Sequence, residues 1–466
     1  MSYNLKWIIF LNRRIMVYEY RFLEGHMVGK KQRFRTAVLI IILAVAIVGG
    51  VFAISYFKGG VTFPWQVSTE EQEPEQVAQE PVKEEPKLVI KEKKQDEAVK
   101  KEEELKKAKE EADKKAKEEA EKEAKEKELA ESVIQTGKQL DYYGALHVED
   151  GRLYDEVRNE VRLTGISTNN LSWYPEFASA DTIKFLKSNL GINVIRLALF
   201  TSDYDGYCVA GADKQQELKQ IIDEAVEAAT DNDMYVILDW HTLNDTDPNE
   251  YKSEAIQFFG EMVRKYESND NVIYEICNEP NDDTTWEDIK AYAKEVIPVI
   301  RRVNRTAIIL VGTPKGCTDL ESVLADPLDS DAFGTNIMYT YHFNARTQKS
   351  SDRNALINAL EDGLPVFVSQ FSYYSADGVG DLDKHEATRW DDLMDDYNLS
   401  TCIWNLSNSD EGSALINQSC DKYFDFKYED LTEQGKHLFE RLSDNRKKAE
   451  IPEKDEIKDS KEIKRR

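Results

Sequence analysis

From residue 161 onward the chain alternates short β-branched runs with longer stretches whose apolar residues recur every three or four positions. The short runs are VRLTGIS (161–167), NVIRLALF (193–200), MYVILDWH (234–241), NVIYEICNEP (271–280), AIILVGT (307–313), IMYTYHF (337–343), PVFVSQF (365–371) and STCIWNL (400–406). Their length and composition predict strands. Between them, KQQELKQIIDEAVEAAT places Leu218, Ile221, Ile222, Ala225 and Ala229 on one helical stripe. EAIQFFGEMVRKYES has the same spacing, and DTIKFLKSNLG ends on a glycine stop. Strands alternating with helices predict a parallel sheet. Eight such units within residues 134–447 predict an α/β fold, the (β/α)8 TIM barrel. A doubly wound open sheet would need a Gly-rich phosphate turn after the first strand, and TGISTNNLSWY is not one.

Before residue 134 the pattern is of another kind. Residues 37–57, AVLIIILAVAIVGGVFAISYF, contain no charged side chain. At about 1.5 Å per residue they reach roughly 31 Å, enough to cross a hydrocarbon core. The run is longer than a signal-peptide core, and no A-x-A site closes it. Basic KKQRFR precedes it, so the expectation is a single-pass cell-membrane anchor, with residues 1–36 cytoplasmic and the barrel extracellular. Met27 opens a normal short cytoplasmic tail and is an alternative start. Residues 58–99, rich in Glu, Pro, Gln and Val without a period, read as a disordered linker. In residues 100–133 Glu precedes Lys by four at Glu102 and Lys106, Glu103 and Lys107, Glu110 and Lys114, and Glu118 and Lys122. That arrangement supports an isolated charged helix. Alanines rather than large apolar residues fill every fourth position, so a stalk is favoured over a coiled coil. The polar tail, 448–466, is expected to be disordered.

The formal net charge is −27, which argues against nucleic acid as a partner. The five cysteines show no CxxC spacing, so neither a metal site nor a cofactor is expected. Their odd number excludes full internal pairing, and Cys277 and Cys402, inside strand runs, read as buried thiols.

In a barrel the reactive groups stand at the C-terminal ends of strands. Polar and aromatic residues gather there: Arg196, then Asp239, Trp240 and His241, then Asn278 and Glu279, then His342, Gln370, Trp404 and Asn405. One such residue is ordinary packing. Their recurrence at nearly every strand end predicts one mouth suited to a carbohydrate or small polyol.

VIYEICNEPN, together with ILDWHTLNDTDPNEYKSEAIQFF one unit earlier and IWNLSNSDEGSAL at the eighth strand, resembles glycoside hydrolase family 5, the retaining β-glucanases and cellulases. HVEDGRLYDEVRNEVRLTGIS is similar to the short hairpin that opens such domains, and the likeness is nearest to bacterial endo-β-1,4-glucanases. The resemblance implies a β-glucan or related polysaccharide as partner. It implies two carboxylates about 5–5.5 Å apart, one protonating the glycosidic oxygen and one attacking the anomeric carbon. By the same resemblance Glu279 is the acid/base and Asn278 bonds the sugar 2-hydroxyl. Arg196 and His241 orient the site, and His342 supports it or touches substrate. Trp173 and Trp404 stack on sugar faces, and Glu411 takes hydroxyls near the entrance.

The chain departs from that pattern around the nucleophile. The family's FVSEWG reads FVSQFS, which puts Gln370 at the nucleophile position. Asn344 stands for a tyrosine that bonds the nucleophile, Asn169 for a histidine, and Ser409 for a lysine. A carboxamide cannot form the glycosyl ester. It also removes the like charge that lets the acid keep its proton; two charges about 5 Å apart at an effective dielectric near 20 interact by roughly 3.3 kcal/mol. The expectation is a membrane-tethered, catalytically impaired protein that binds β-glucan. The alternatives are an active glycosidase with altered chemistry, for instance with Asp377 as base, and a protein-interaction scaffold.

Overall fold

The computed structural model describes the backbone of residues 143–450, with side chains to 443, and separate residues between 106 and 122. The anchor, linker and tail expected at 37–57, 58–99 and 451–466 lie outside the described residues. Among the described residues no helix is long and apolar enough to cross a membrane. Those described between 106 and 122 are helical and exposed. One ion pair among them, Lys114–Glu118 at 3.7 Å, runs Lys to Glu.

A two-stranded hairpin, β1 (His147–Glu149) and β2 (Arg152–Tyr154), precedes the barrel. The barrel strands are β3 (Thr164–Thr168), β4 (Val194–Phe200), β5 (Tyr235–His241), β6 (Val272–Glu275), β7 (Ile309–Val311), β8 (Ile337–Asn344), β9 (Val366–Ser372) and β10 (Thr401–Leu406). They close in chain order, all parallel, with β10 pairing β3. Each expected strand is present; β4, β5 and β10 begin one residue later than expected, β6 stops at Glu275 instead of residue 280, and β3, β8 and β9 each run one residue further toward the mouth.

Alternation along the strands divides the interior. Val194, Tyr235, Ile237, Ile273, Leu310, Met338, Phe367 and Cys402 form a cluster closed below by Leu146, Leu153, Val161 and Leu163. The hairpin is therefore a plug that keeps water from the lower end. The opposite faces of the strands pack against the helices, for example Leu218, Ile222, Ala225 and Ala229 of Ala212–Asp231. The regular rhythm fails after β7. Gly312, Pro314, Gly316 and Pro327 break that stretch into three short helical pieces, Pro314–Cys317, Leu320–Ala325 and Ser330–Phe333. The last helix, Glu433–Glu450, runs on past residue 447, so the first residues expected as disordered tail are helical.

One irregularity decides the chemistry. On β9 the register moves from Phe367 opposite Thr340 to Gln370 opposite His342, three residues against two. The β10 side shows the same extra residue, with Val368 opposite Thr401 and Phe371 opposite Ile403. This β-bulge, of the kind found beside active sites, breaks strict alternation. As a result Ser369 and Gln370, neighbours in sequence, both bond to groups inside the mouth.

Candidate active site

Arg196 is the hub of the mouth. It rises from β4, fully buried, and forks onto Glu275 with Nε to Oε2 at 2.7 Å and Nη2 to Oε1 at 3.0 Å. Nη2 also lies 3.0 Å from Asp239 Oδ2 and donates to Asn278 Oδ1 at 2.8 Å. Nη1 donates to Ser167 Oγ at 3.3 Å and to Gln370 Oε1 at 3.1 Å. Burial alone would lower its pKa, but Asp239 and Glu275 outweigh that and raise it, so the cation is permanent.

The carboxylates around it differ. Burial pushes Asp239 up to about 7 even against the Arg196 charge. Its Oδ2 accepts from His241 Nδ1 at 2.6 Å. That bond fixes the His241 tautomer, and burial with the nearby Arg196 charge holds the imidazole well below its ordinary pKa, hence neutral. Glu279, in the segment that follows β6, is the reverse case. Burial raises its pKa, but the His342 hydrogen bond, with the positive charge of Arg196 nearby, prevails and leaves it below the ordinary value. His342 Nδ1 donates to Glu279 Oε1 at 2.9 Å, and its Nε2 lies 2.9 Å from Ser369 Oγ, which donates to Glu275 Oε1 at 2.9 Å.

These shifts give a pH signature. Asp239 favours its protonated form in the fold. Its contribution to stability is complete below its ordinary pKa of 3.8 and is lost as pH rises through about 7. His241 acts in the opposite sense: its contribution is present above 6.5 and is lost as pH falls below that value. On acidification the two oppose each other. Asp239→Asn removes one partner and should steepen the loss of stability between about pH 6.5 and pH 4, by up to about 1.4 kcal/mol per unit. Urea unfolding of both chains across that range checks this, and parallel curves would contradict it.

Gln370 bridges the two halves of the site. Its Oε1 accepts from Arg196, and its Nε2 donates to Glu279 Oε1 at 2.8 Å. Amide and carboxylate are therefore in direct contact where a retaining pair would be held about 5–5.5 Å apart.

Above them opens a cleft of about 310 Å³ lined by Asn169, Trp173, Phe200, His241, Glu279, Asn344, Gln370, Trp404 and Glu411, with Asp203 and Asp377 at its sides. Trp404 lies parallel to His241 (ring centroids 5.2 Å, 13°), and His241 stacks on Phe200 at 4.1 Å. Trp173, nearly half exposed, leans on Phe200 and donates Nε1 to the Tyr204 carbonyl at 2.9 Å. Glu411 Oε2 accepts from Asn405 Nδ2 and Ser413 Oγ, each at 3.2 Å. Asp377 is exposed; Ser375 and the Val379 amide hold its carboxylate below the ordinary range.

Not every residue expected at the mouth faces the cleft. Asn278 is fully buried, with Nδ2 donating to the Thr242 carbonyl at 3.0 Å and to His241 Nε2 at 3.3 Å. A sugar hydroxyl would have to displace the longer of those contacts. His342 is buried behind Glu279 and supports it from below. Ser409 is tucked beneath the rim, its Oγ 3.0 Å from Ser407 Oγ. The Asn169 amide reaches the same Ser407 Oγ at 3.5 Å. Asn344 lines the cleft but makes no hydrogen bond to Gln370.

Sequence reasoning missed Glu275 and Asp203. Glu275 sits inside the apolar run VIYEIC, and a lone carboxylate at such a position demands a buried cation. Asp203 is in the loop after β4, where no period marks it. One of its oxygens, Oδ2, is buried without a partner. Burial and the Asp245 charge raise its pKa.

Residues 154–410 match the family model described as cellulase, glycosyl hydrolase family 5. Endoglucanase A of Butyrivibrio fibrisolvens is 62% identical over 418 residues, spanning 90% of this chain and 95% of the relative. The endoglucanase of Clostridium saccharobutylicum is 38% identical over 293 residues, 63% of each chain. Among solved structures, a glutamate-to-glutamine variant of the Thermobifida fusca endoglucanase Cel5A catalytic domain, in complex with cellotetraose, has a TM-score of 0.59 at 32% identity; the match covers 64% of this chain and 97% of that one. With the closed barrel and the carboxylate-lined mouth at its strand ends, these likenesses place the chain in one family: it belongs to glycosyl hydrolase family 5, the cellulases.

Proposed function

We propose that this protein binds β-glucan in the cleft under Trp404 and Trp173 and that, as translated, it hydrolyses the glycan poorly. The carrying observation is the carboxamide of Gln370, which spans from Arg196 to Glu279 in the place of an attacking carboxylate. It has no anionic oxygen to form the glycosyl ester. Glu279, held below its ordinary pKa by the His342 hydrogen bond and accepting from the Gln370 amide as well, is ionised, so the group expected to donate a proton has none to give. Binding needs neither function. The aromatic rings, Glu411 and His241 still line the cleft, and the Thermobifida fusca variant in complex with cellotetraose carries the same kind of glutamate-to-glutamine change. The basic segment and apolar run at 30–57 support placing this domain outside a cell membrane, anchored by residues 37–57.

A second reading is an active endoglucanase using another carboxylate. It is favoured by the 62% identity to a relative named as an endoglucanase and by Asp203 and Asp377 beside the cleft. Two measurements on the purified chain separate the readings. Cello-oligosaccharides should quench tryptophan fluorescence, with Trp404→Ala weakening binding by roughly 0.5–1.5 kcal/mol. Fresh protein should release negligible sugar from β-glucan. Absence of any fluorescence or melting response would remove the binding claim, and fast hydrolysis by chain carrying glutamine at 370 would install the second reading.

A further inference from the structure

We infer that Gln370 is a self-modification site: the mouth is built to hydrolyse its side-chain amide and so convert it to glutamate. The inference rests on the impairment proposed above, since it describes how an inactive chain would become an active one.

The geometry is that of an amide held for hydrolysis. Arg196 Nη1 donates to the carbonyl oxygen at 3.1 Å, on the atom where negative charge develops when the carbon is attacked. Arg196 is itself pinned by Glu275 and Asp239, so the donor is fixed in place. On the other side, Glu279 Oε1 accepts from the amide nitrogen, the leaving atom, at 2.8 Å. Gln370 lines an open cleft, so water can reach its side chain. Glu279, held ionised, is ready to take a proton from that water.

The step balances with water as the only co-reactant. The water oxygen bonds to Cδ while the carbonyl electron pair moves to Oε1, facing Arg196. The proton lost by the water goes to Glu279. The Cδ–Nε2 bond then breaks, its electron pair leaving with nitrogen, and Glu279 returns the proton to that nitrogen. Ammonia departs, takes the proton of the new acid, and leaves ammonium and a carboxylate at position 370.

Other glutamines of the chain provide internal controls. Gln220 donates to the Glu224 carboxylate at 3.0 Å on an exposed helix face, with no arginine hydrogen-bonded to its oxygen. Gln434 is fully buried, but its nitrogen meets the Trp404 and Ser413 carbonyls and its oxygen meets Ser372 and the Tyr373 amide. Neither has both a cation on oxygen and a carboxylate on nitrogen.

The test is to incubate freshly purified full-length chain near neutral pH in heavy-oxygen water and follow the peptides holding Gln370, Gln220 and Gln434 by mass spectrometry. The expected result is amide-to-acid conversion with one labelled oxygen at Gln370, at least ~10-fold faster than at the other two. Glu279→Ala should slow it by roughly 100-fold or more, the scale of a lost general base. Should that variant not fold, native chain in urea replaces it, and the acceleration at Gln370 should vanish there. β-Glucan hydrolysis should rise in step with the converted fraction. Conversion at Gln370 no faster than at Gln220, or unchanged in urea, overturns the inference and leaves the impairment standing. Hydrolysis by fresh, unconverted chain would instead overturn the impairment.

Discussion

On the proposed reading, Gln370→Glu should raise turnover of an aryl β-cellobioside over that of the parent chain by roughly 10²–10⁴-fold, the scale associated with one positioned catalytic group. The new oxygen inherits the Arg196 hydrogen bond that now holds the amide oxygen at 3.1 Å. The other end changes more. The amide's donation to Glu279 at 2.8 Å is replaced by repulsion between two carboxylates. That repulsion moves the Glu279 pKa upward, so one substitution supplies the nucleophile and also gives the acid a proton to donate. Activity should therefore follow a bell-shaped pH profile, absent in the parent chain. The same repulsion should cost the fold up to roughly 3 kcal/mol at neutral pH and less in acid. Recovery should be partial, because Asn344 offers the new carboxylate no phenol and leaves it loosely oriented. Adding Asn344→Tyr and Asn169→His should raise the rate more than additively, since groups that act together do not contribute independently. Parent activity equal to that of Gln370→Glu, and abolished by Glu279→Ala, would mean that another base does the work.

The barrel was readable because burial on both faces leaves a strong mark: eight β-branched runs, each followed by a polar or helical stretch, admit few arrangements. The break after β7 was also present in the sequence, as Gly312, Pro314, Gly316 and Pro327, though the rhythm on either side masked it. The β9 bulge was not readable. Alternation assigns Ser369 and Gln370 to opposite faces, and only the register of two neighbouring strands shows that both reach the mouth. The candidate site followed the same division. Strand-end positions identified Arg196, His241, Glu279, Gln370 and Trp404, because a parallel barrel gathers those ends. Depth was not legible. Asn278 and His342 were read as strand-end positions like Glu279, yet they are buried beneath it; Arg196 lies inside β4, and what it touches depends on neighbours 29 to 174 positions away. Glu275 escaped notice because periodicity marks where a side chain points and says nothing of what answers its charge.

The charges answering Arg196 give the largest stability effect expected from a single substitution. Arg196→Met keeps much of the volume but leaves Glu275 and Asp239, both fully shielded from water, without their cation. Removing one partner of a buried pair is far more damaging than never having built it, and costs about 3–5 kcal/mol. The loss should depend on pH in a definite direction. With Arg196 gone, both carboxylates gain stability only by taking up protons, so the variant should recover part of its deficit as pH falls. It should also lose the fixed orientation of Gln370, whose oxygen would have only water to meet. Arg196→Met with Glu275→Gln is the decisive companion. Neutralising one of the stranded carboxylates should restore a substantial part of the loss, which makes the double variant more stable than Arg196→Met alone; distant, independent sites would add instead. Urea unfolding of the four chains of this cycle measures it. A deficit for Arg196→Met below about 1 kcal/mol, or a double variant less stable than the single, would show that water reaches these carboxylates and that Arg196 is not what holds the mouth together.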